Sequence, residues 1–265
     1  MDRPLRIYLW LAFGITWGFG GLALLAGAYQ PGTASSGSRT LHYVAAFGPS
    51  LAGFVMAGRV GGRAGLRRLL VRALPTRSGL KWYLAVIIGF PVANLLAAWL
   101  LAPEFVAGLH SWDRLLYRLP LTLVVDTGPL GEEFGWRGFA LTRLLRRWPP
   151  LTAALILGAI WWAWHLPTFF ISTLSQSKLS IPTFLVNSLA LSVIMTWLYQ
   201  RTRGDLLLMI LVHVTANYCG AIGVPFNAEV SAEAACAALI VASGGLRAAR
   251  RGDHGSSEVT EVEPA

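Results

Sequence analysis

The stretch DTGPLGEEFGWR, residues 126–137, places two adjacent glutamates, Glu132 and Glu133, and one arginine, Arg137, inside a long apolar segment. Carboxylates are costly to bury in hydrocarbon, so ionisable residues within a membrane segment are by default functional-site hypotheses. The stretch therefore predicts both a membrane-embedded helix and a reactive site on it.

A new helix is predicted to start within this stretch. Gly128 and Pro129 interrupt a helix, Pro is well tolerated in a first turn, and Asp126 or Thr127 supplies a capping side chain. Glycines recur along the new helix and predict a close helix-packing face: Gly128, Gly131, Gly135 and Gly138.

The spacing of the charged residues assigns them different tasks. Glu133 and Arg137 are four residues apart with the acid first, the favourable order for an ion pair on one helix face. Glu132 points about 100° away from Glu133, so it has no local counter-ion and is the freer carboxylate. The structural alternative is that both glutamates only neutralise Arg137 and hold helices together.

Composition places the chain among membrane proteins. Of 265 residues, 55% are hydrophobic and 13% are charged, and 11 are tryptophans. The net charge of +9 comes from short basic clusters between apolar runs, with no aromatic-interleaved basic surface, so no nucleic-acid partner is predicted. Cys219 and Cys236 lie in apolar segments without a CxxC spacing, and neither a disulfide nor a cysteine metal site is expected.

Eight apolar runs approach the length of about 20 residues that a spanning helix needs. They cover residues 7–28, 41–58, 82–102, 119–141, 151–170, 181–199, 206–224 and 231–246. The predicted fold is an all-α, polytopic transmembrane helical bundle over residues 1–250, followed by a disordered cytoplasmic tail at 251–265. The eighth run is short and carries Glu233, so seven spans is an alternative.

Positive charges fix the predicted orientation. Alternate loops and the two ends hold 17 Lys and Arg residues, and the loops on the other side hold four. Because translocated short loops are poor in positive charge, the N-terminus and the C-terminus are both predicted to lie inside. The first apolar run resembles a signal peptide but is longer than the usual signal core, which favours a retained first span.

Two downstream histidines offer partners for the glutamates. Pro167 places His165 on the last turn of its helix, beside Trp161, although an interfacial histidine in an aromatic belt would look the same. His213 and Asn217 are four residues apart on one helix face, where they could donate hydrogen bonds to an oxyanion or simply join helices.

The predicted depths of these side chains in the bilayer overlap, so they could meet. Counting about 1.5 Å per helical residue from the inner loops places Glu132, His165, His213 and Asn217 between roughly 12 and 22 Å deep, near the middle of the bilayer. The combination is far more specific than any of its members.

These residues resemble the CAAX prenyl endopeptidase type II and bacteriocin-processing intramembrane proteases, also called CPBP or Abi proteins. The motif Glu-Glu-x-x-x-Arg matches at 132–137, an aromatic residue followed by x-x-x-His matches at 161–165, and His-x-x-x-Asn matches at 213–217, over a core of 119–220. Trp161 stands where Phe is more usual, which puts only the packing beside His165 in doubt. The resemblance implies an all-helical, typically eight-span peptidase with a membrane-embedded cavity.

Chemistry and resemblance together suggest a mechanism. Glu132 and His165 would activate a water, His213 and Asn217 would hold the oxyanion, and Glu133 with Arg137 would fix the motif helix. Whether a divalent ion takes part stays open: Glu132, His165 and His213 could hold Zn²⁺ and leave a water site, and a metal-free mechanism uses the same residues.

The expected partners are the lipid bilayer and a peptide or membrane-protein substrate, lipidated or not. Twenty Arg against two Lys favour a bacterial cytoplasmic membrane as the location. A membrane scaffold or bacteriocin-immunity protein and an ion or metal transporter are the alternative functions.

Overall fold

The computed structural model describes residues 1–30, 32, 34–75, 78–109, 117–118, 120–122 and 126–246, and its secondary structure there is entirely helical. In chain order the helices are α1 (Arg3–Leu25), α2 (Ser36–Ala46), α3 (Gly48–Val71), α4 (Leu80–Leu101), α5 (Pro103–Ala107), α6 (Gly128–Gly135, continued by Trp136–Ala140 and Leu141–Arg147), α7 (Pro150–His165), α8 (Ile181–Arg201), α9 (Leu206–Ala221) and α10 (Phe226–Ala242). The tail at 251–265 lies outside the described residues.

Several of these helices are suited to a membrane. Four are long and apolar enough to cross one: Arg3–Leu25, Leu80–Leu101, Pro150–Phe170 and Ile181–Arg201. The pair α2 and α3, bent by 58° at a short break, makes a fifth if it is counted as one span. These helices are consistent with a multi-pass membrane protein, and the count of eight stays a prediction.

The helices around the site begin and end near the predicted breaks. α6 begins at Gly128, where Thr127 occupies the N-cap position without a side-chain capping hydrogen bond and the Asp126 carboxylate accepts the backbone N–H of Gly128 at 3.2 Å. α7 ends at His165, where a 3₁₀ helix, Leu166–Phe170, takes over. The prediction that Pro167 places His165 on the last α-helical turn is confirmed.

Helix α6 lies at the centre of the bundle. It packs against both α3 and α9, and its middle residues are buried. The Ser50 hydroxyl at the start of α3 donates to the Leu130 carbonyl at 2.7 Å and joins the two helices. The central position of α6 keeps the motif carboxylates away from the outer surface of the bundle.

Glycines allow α6 to approach α3 and the end of α2 closely. A Cβ added to Gly135 would lie 2.2 Å from the Pro49 carbonyl oxygen, and one added to Gly131 would lie 2.7 Å from that of Ala46. At Gly138 the nearest atom would be a methyl of Leu69, at 2.6 Å. The predicted glycine packing face is confirmed for these three.

Gly135→Ala is expected to destabilise the protein, because the added methyl group forces α6 away from the backbone of α3. Overpacking of this kind costs typically 1–3 kcal/mol, measured as a lower unfolding midpoint in detergent. Gly14→Ala on α1 is the matched control, since nothing lies within 4 Å of its added Cβ. Equal stability of the two variants would contradict the packing role of Gly135.

Arg72, just after α3, fixes the C-terminal half of α6. Its guanidinium donates to the carbonyl of Gly138 at 3.2 Å, to the carbonyl of Gly204 at 2.9 Å and to the hydroxyl of Tyr199 at 2.6 Å. One side chain thus connects α6 with the end of α8 and the start of α9, and it restricts how α6 can rotate.

Candidate active site

Helix α6 carries a fully buried ion pair. The Arg137 guanidinium donates to Oε1 of Glu133 at 2.8 Å, and both side chains have 0% of their surface exposed. The predicted pairing of Glu133 with Arg137 on one helix face is confirmed. Since removing one partner of a buried pair leaves an uncompensated charge, the two residues depend on each other.

The backbone of α6 departs from regular α-helix at this pair. Residues Trp136–Ala140 form a π-helical turn that contains Arg137. Such turns are rare and occur frequently at functional sites. Nothing in the amino-acid pattern predicts this turn.

Glu133 also reaches across to α9. Its Oε1 lies 2.8 Å from Nδ1 of His213, which is 5% exposed. A carboxylate only accepts, so Nδ1 is the donor and Nε2 of His213 is left for other contacts. Glu133 therefore joins two helices as well as neutralising Arg137, a contact that the sequence did not predict.

Helix α7 holds the other carboxylate. The indole Nε1 of Trp161 donates to Oε2 of Glu132 at 2.6 Å, and the Glu132 side chain is buried, with 6% exposed. Nδ1 of His165 lies 3.0 Å from the backbone carbonyl of Trp161. Because a carbonyl only accepts, Nδ1 carries the proton and Nε2 of neutral His165 is an acceptor.

Trp161 lies at the centre of these groups. Its ring is 4.7 Å from the Arg137 guanidinium carbon, and its centroid is 5.3 Å from that of His213 and 5.7 Å from that of His165. A cation over an indole face is attracted by the ring quadrupole. Tryptophan, in place of the more usual phenylalanine of the motif, also donates the hydrogen bond to Glu132. The sequence suggested only a change in packing at this position.

Asn217 lies apart from these contacts. It is exposed, one turn further along α9 than His213, and its amide nitrogen donates to Oδ2 of Asp126 at 2.7 Å. Asp126 thus binds both the start of α6 and Asn217. Sequence reasoning considered Asp126 only as a capping residue, because a partner 91 positions away gives no local signal.

Three polar atoms of this cluster make no hydrogen bond within the described part of the chain: Oε1 of Glu132, Nε2 of His165 and Nε2 of His213. None of the three belongs to the fully enclosed polar atoms without a partner. A carboxylate oxygen and a neutral imidazole nitrogen are both proton acceptors, and the His213 imidazole packs against the same indole ring. This set of groups is suited to general acid–base chemistry.

The side chains do not form a metal site as they are arranged. Across the described ranges, no group of three or more His, Cys, Asp or Glu side chains is placed to hold a metal ion. Glu132, His165 and His213 are not among such a group as they are placed, so they fit a shared ion only after rearranging.

A second buried acidic pair occurs elsewhere in the bundle. Glu229 and Glu233, one turn apart on α10, are 7% and 3% exposed, and Asn187 on α8 donates to Glu233. The sequence drew attention to Glu233 only as a weakness of the eighth apolar run. Its contact with Asn187 shows a role in joining α8 to α10.

The region that carries these motifs is similar to known proteins. Residues 113–219 match the family model described as type II CAAX prenyl endopeptidase, Rce1-like. A curated relative, CAAX prenyl protease 2 of Methanococcus maripaludis, is 29% identical over 105 residues, which cover 37% of this chain and 39% of the relative. All seven motif residues, from Glu132 to Asn217, lie within the matched range. Residues 113–219 of this chain are therefore similar to the Rce1-like type II CAAX prenyl endopeptidases, and the chain spans well under half the length of the curated relative it matches.

Proposed function

We propose that this chain is an intramembrane endopeptidase that hydrolyses peptide bonds with a water activated by Glu132 and His165. One observation carries the proposal: three helices distant in sequence bring a carboxylate and two imidazoles together through Trp161 and Glu133. The family of residues 113–219 supports the same reaction.

In the proposed mechanism the water lies between Glu132 and His165. Oε1 of Glu132 takes one proton as the water oxygen attacks the scissile carbonyl, and Nε2 of His165 accepts a hydrogen bond from the other. When the C–N bond breaks, the protonated Glu132 returns its proton to the leaving amine. No covalent intermediate with the enzyme forms.

The developing oxyanion requires donors on the opposite side. His213 donates from Nε2 when both of its ring nitrogens are protonated, and the Glu133 carboxylate at Nδ1 is the counter-charge that such a cation needs. Asn217 is the second donor, and Asp126 orients its amide. Arg137 balances Glu133 within the buried pair.

The substrate we propose is a peptide or a membrane-protein segment that enters from the bilayer. We propose that the chain lies in a bacterial cytoplasmic membrane with eight spans and both ends inside. The name of the curated relative makes prenylated C-terminal peptides one substrate class to assay.

The test is cleavage of a membrane-peptide library, with and without prenylated members, by purified protein in detergent or liposomes. Wild type is expected to cleave, and Glu132→Ala and His165→Ala are expected to be inactive, because each loses one of the two groups that activate water. Cleavage that survives both substitutions, or no cleavage by wild type, contradicts the proposal and favours a scaffold or an immunity protein. A chelator arm tests for a metal: activity removed by EDTA and restored by Zn²⁺ requires an ion, which these side chains hold only after rearranging.

A further inference from the structure

We infer that Trp161 is a positioning residue for Glu132, acting through an indole hydrogen bond that phenylalanine at this position cannot make. The inference rests on the proposed peptidase function and concerns the same site. It assigns to the side chain of Trp161 a task beyond packing.

The bond is short and buried. The indole Nε1 lies 2.6 Å from Oε2 of Glu132, and the two side chains are 4% and 6% exposed. Hydrogen bonds to an ionised acceptor are shorter and about twice as strong as neutral ones. No other hydrogen bond to the Glu132 carboxylate occurs within the described residues, so Trp161 determines its rotation.

The indole ring of Trp161 is held in place by two neighbouring side chains. Arg137 lies over the ring at 4.7 Å, and the ring of His213 meets it nearly edge-on, at an interplanar angle of 80°. These contacts come from α6 and α9, so three helices fix the direction of the N–H. A donor fixed in this way orients a catalytic carboxylate without reorganising during the reaction.

The backbone of the same residue holds the second water-activating group. The carbonyl of Trp161 binds Nδ1 of His165 at 3.0 Å, so Oε1 of Glu132 and Nε2 of His165 are positioned from one residue. Because both groups act on one water, their relative placement sets the reaction geometry. Phenylalanine would keep the carbonyl contact and lose only the side-chain bond.

The experiment compares wild type, Trp161→Phe and Trp162→Phe on a reporter peptide that carries the sequence wild type cleaves in the library. Trp161→Phe is expected to lower kcat roughly 10- to 100-fold, the effect of losing one hydrogen bond to a charged group. KM should stay within about twofold, since the bond orients Glu132 and does not contact the peptide.

Trp162→Phe is the matched control. It removes the same volume from the neighbouring position and also loses an indole hydrogen bond, to the Ile181 carbonyl at 3.2 Å, but within the described residues it makes no hydrogen bond to Glu132. Its kcat is expected to stay near that of wild type. A kcat for Trp161→Phe within twofold of wild type overturns the inference and leaves the peptidase function standing, as does an equal loss in both variants.

A second measurement does not depend on turnover. In protein labelled with ¹⁵N-tryptophan, the Trp161 indole N–H signal is identified by its loss in Trp161→Phe, and it is expected to shift in Glu132→Ala. An unshifted signal overturns the inference. If wild type cleaves no peptide, the proposed function fails and the inference falls with it.

Discussion

Glu132→Gln is expected to abolish peptide cleavage and leave the protein folded. Glutamine has nearly the same shape, and its carbonyl oxygen can still accept the Trp161 indole N–H that binds Glu132. It cannot take a proton from water, and losing a general base lowers rates by about 100- to 10,000-fold. The measurement is kcat/KM on the reporter peptide together with the unfolding midpoint in detergent.

Glu132→Asp distinguishes a missing base from a misplaced one. Aspartate retains the carboxylate but is one methylene shorter, so it should keep partial activity with a poorer geometry. A Glu132→Gln variant with more than about a tenth of wild-type activity would show that Glu132 is not the base.

Glu133→Gln is expected to impair both folding stability and activity. The substitution leaves the Arg137 guanidinium buried without a counter-charge, and breaking one partner of a buried pair costs about 3–5 kcal/mol. It also removes the charge beside Nδ1 of His213, which the proposed oxyanion contact requires. The free energy of unfolding in detergent and kcat on the reporter peptide measure the two effects separately.

The double variant Glu133→Gln with Arg137→Met separates the two roles of Glu133. Removing both charges restores electrostatic balance, and replacing a buried ion pair with apolar groups is often neutral for stability. We expect stability to recover and cleavage to stay low, because His213 still lacks its carboxylate. Recovery of cleavage in this double variant would mean that Glu133 only neutralises Arg137, the structural alternative that the sequence left open.

The two adjacent glutamates contact different helices, which is why different tasks are proposed for them. Glu132 contacts Trp161 on α7, whereas Glu133 contacts His213 on α9. Their offset of about 100° around α6 makes this possible. Adjacent residues on a strand or loop would not give the same fixed separation.

Local features of the site were predictable from the sequence. The Glu133–Arg137 pair follows from a spacing of four residues on one helix, and the position of His165 at a helix end follows from Pro167. Each depends on the geometry of a single helix, which a few neighbouring residues determine. The glycine face of α6 was predictable for the same reason, although its partner helix was not.

The contacts between helices were not predictable. The bonds from Trp161 to Glu132, from His213 to Glu133 and from Asn217 to Asp126 join residues 29, 80 and 91 positions apart. They depend on how far each helix is rotated about its own axis relative to its neighbours, and no periodicity encodes that angle. The same limit explains why Trp161 was expected to affect only packing.

The sequence by itself determined that this protein is helical, with several segments apolar enough for a membrane, and it supplied the residues proposed to carry the chemistry, because apolar run lengths and helical spacing act within one segment. The tertiary structure decided which carboxylate contacts which partner. The physical reason is close packing and hydrogen bonding. The close approach of α3 and α6 at Gly135, and the hydrogen bonds by which Arg72 joins Gly138 to Gly204 and Tyr199, fix the rotation of α6 about its axis. That rotation directs Glu132 and Glu133 to different helices.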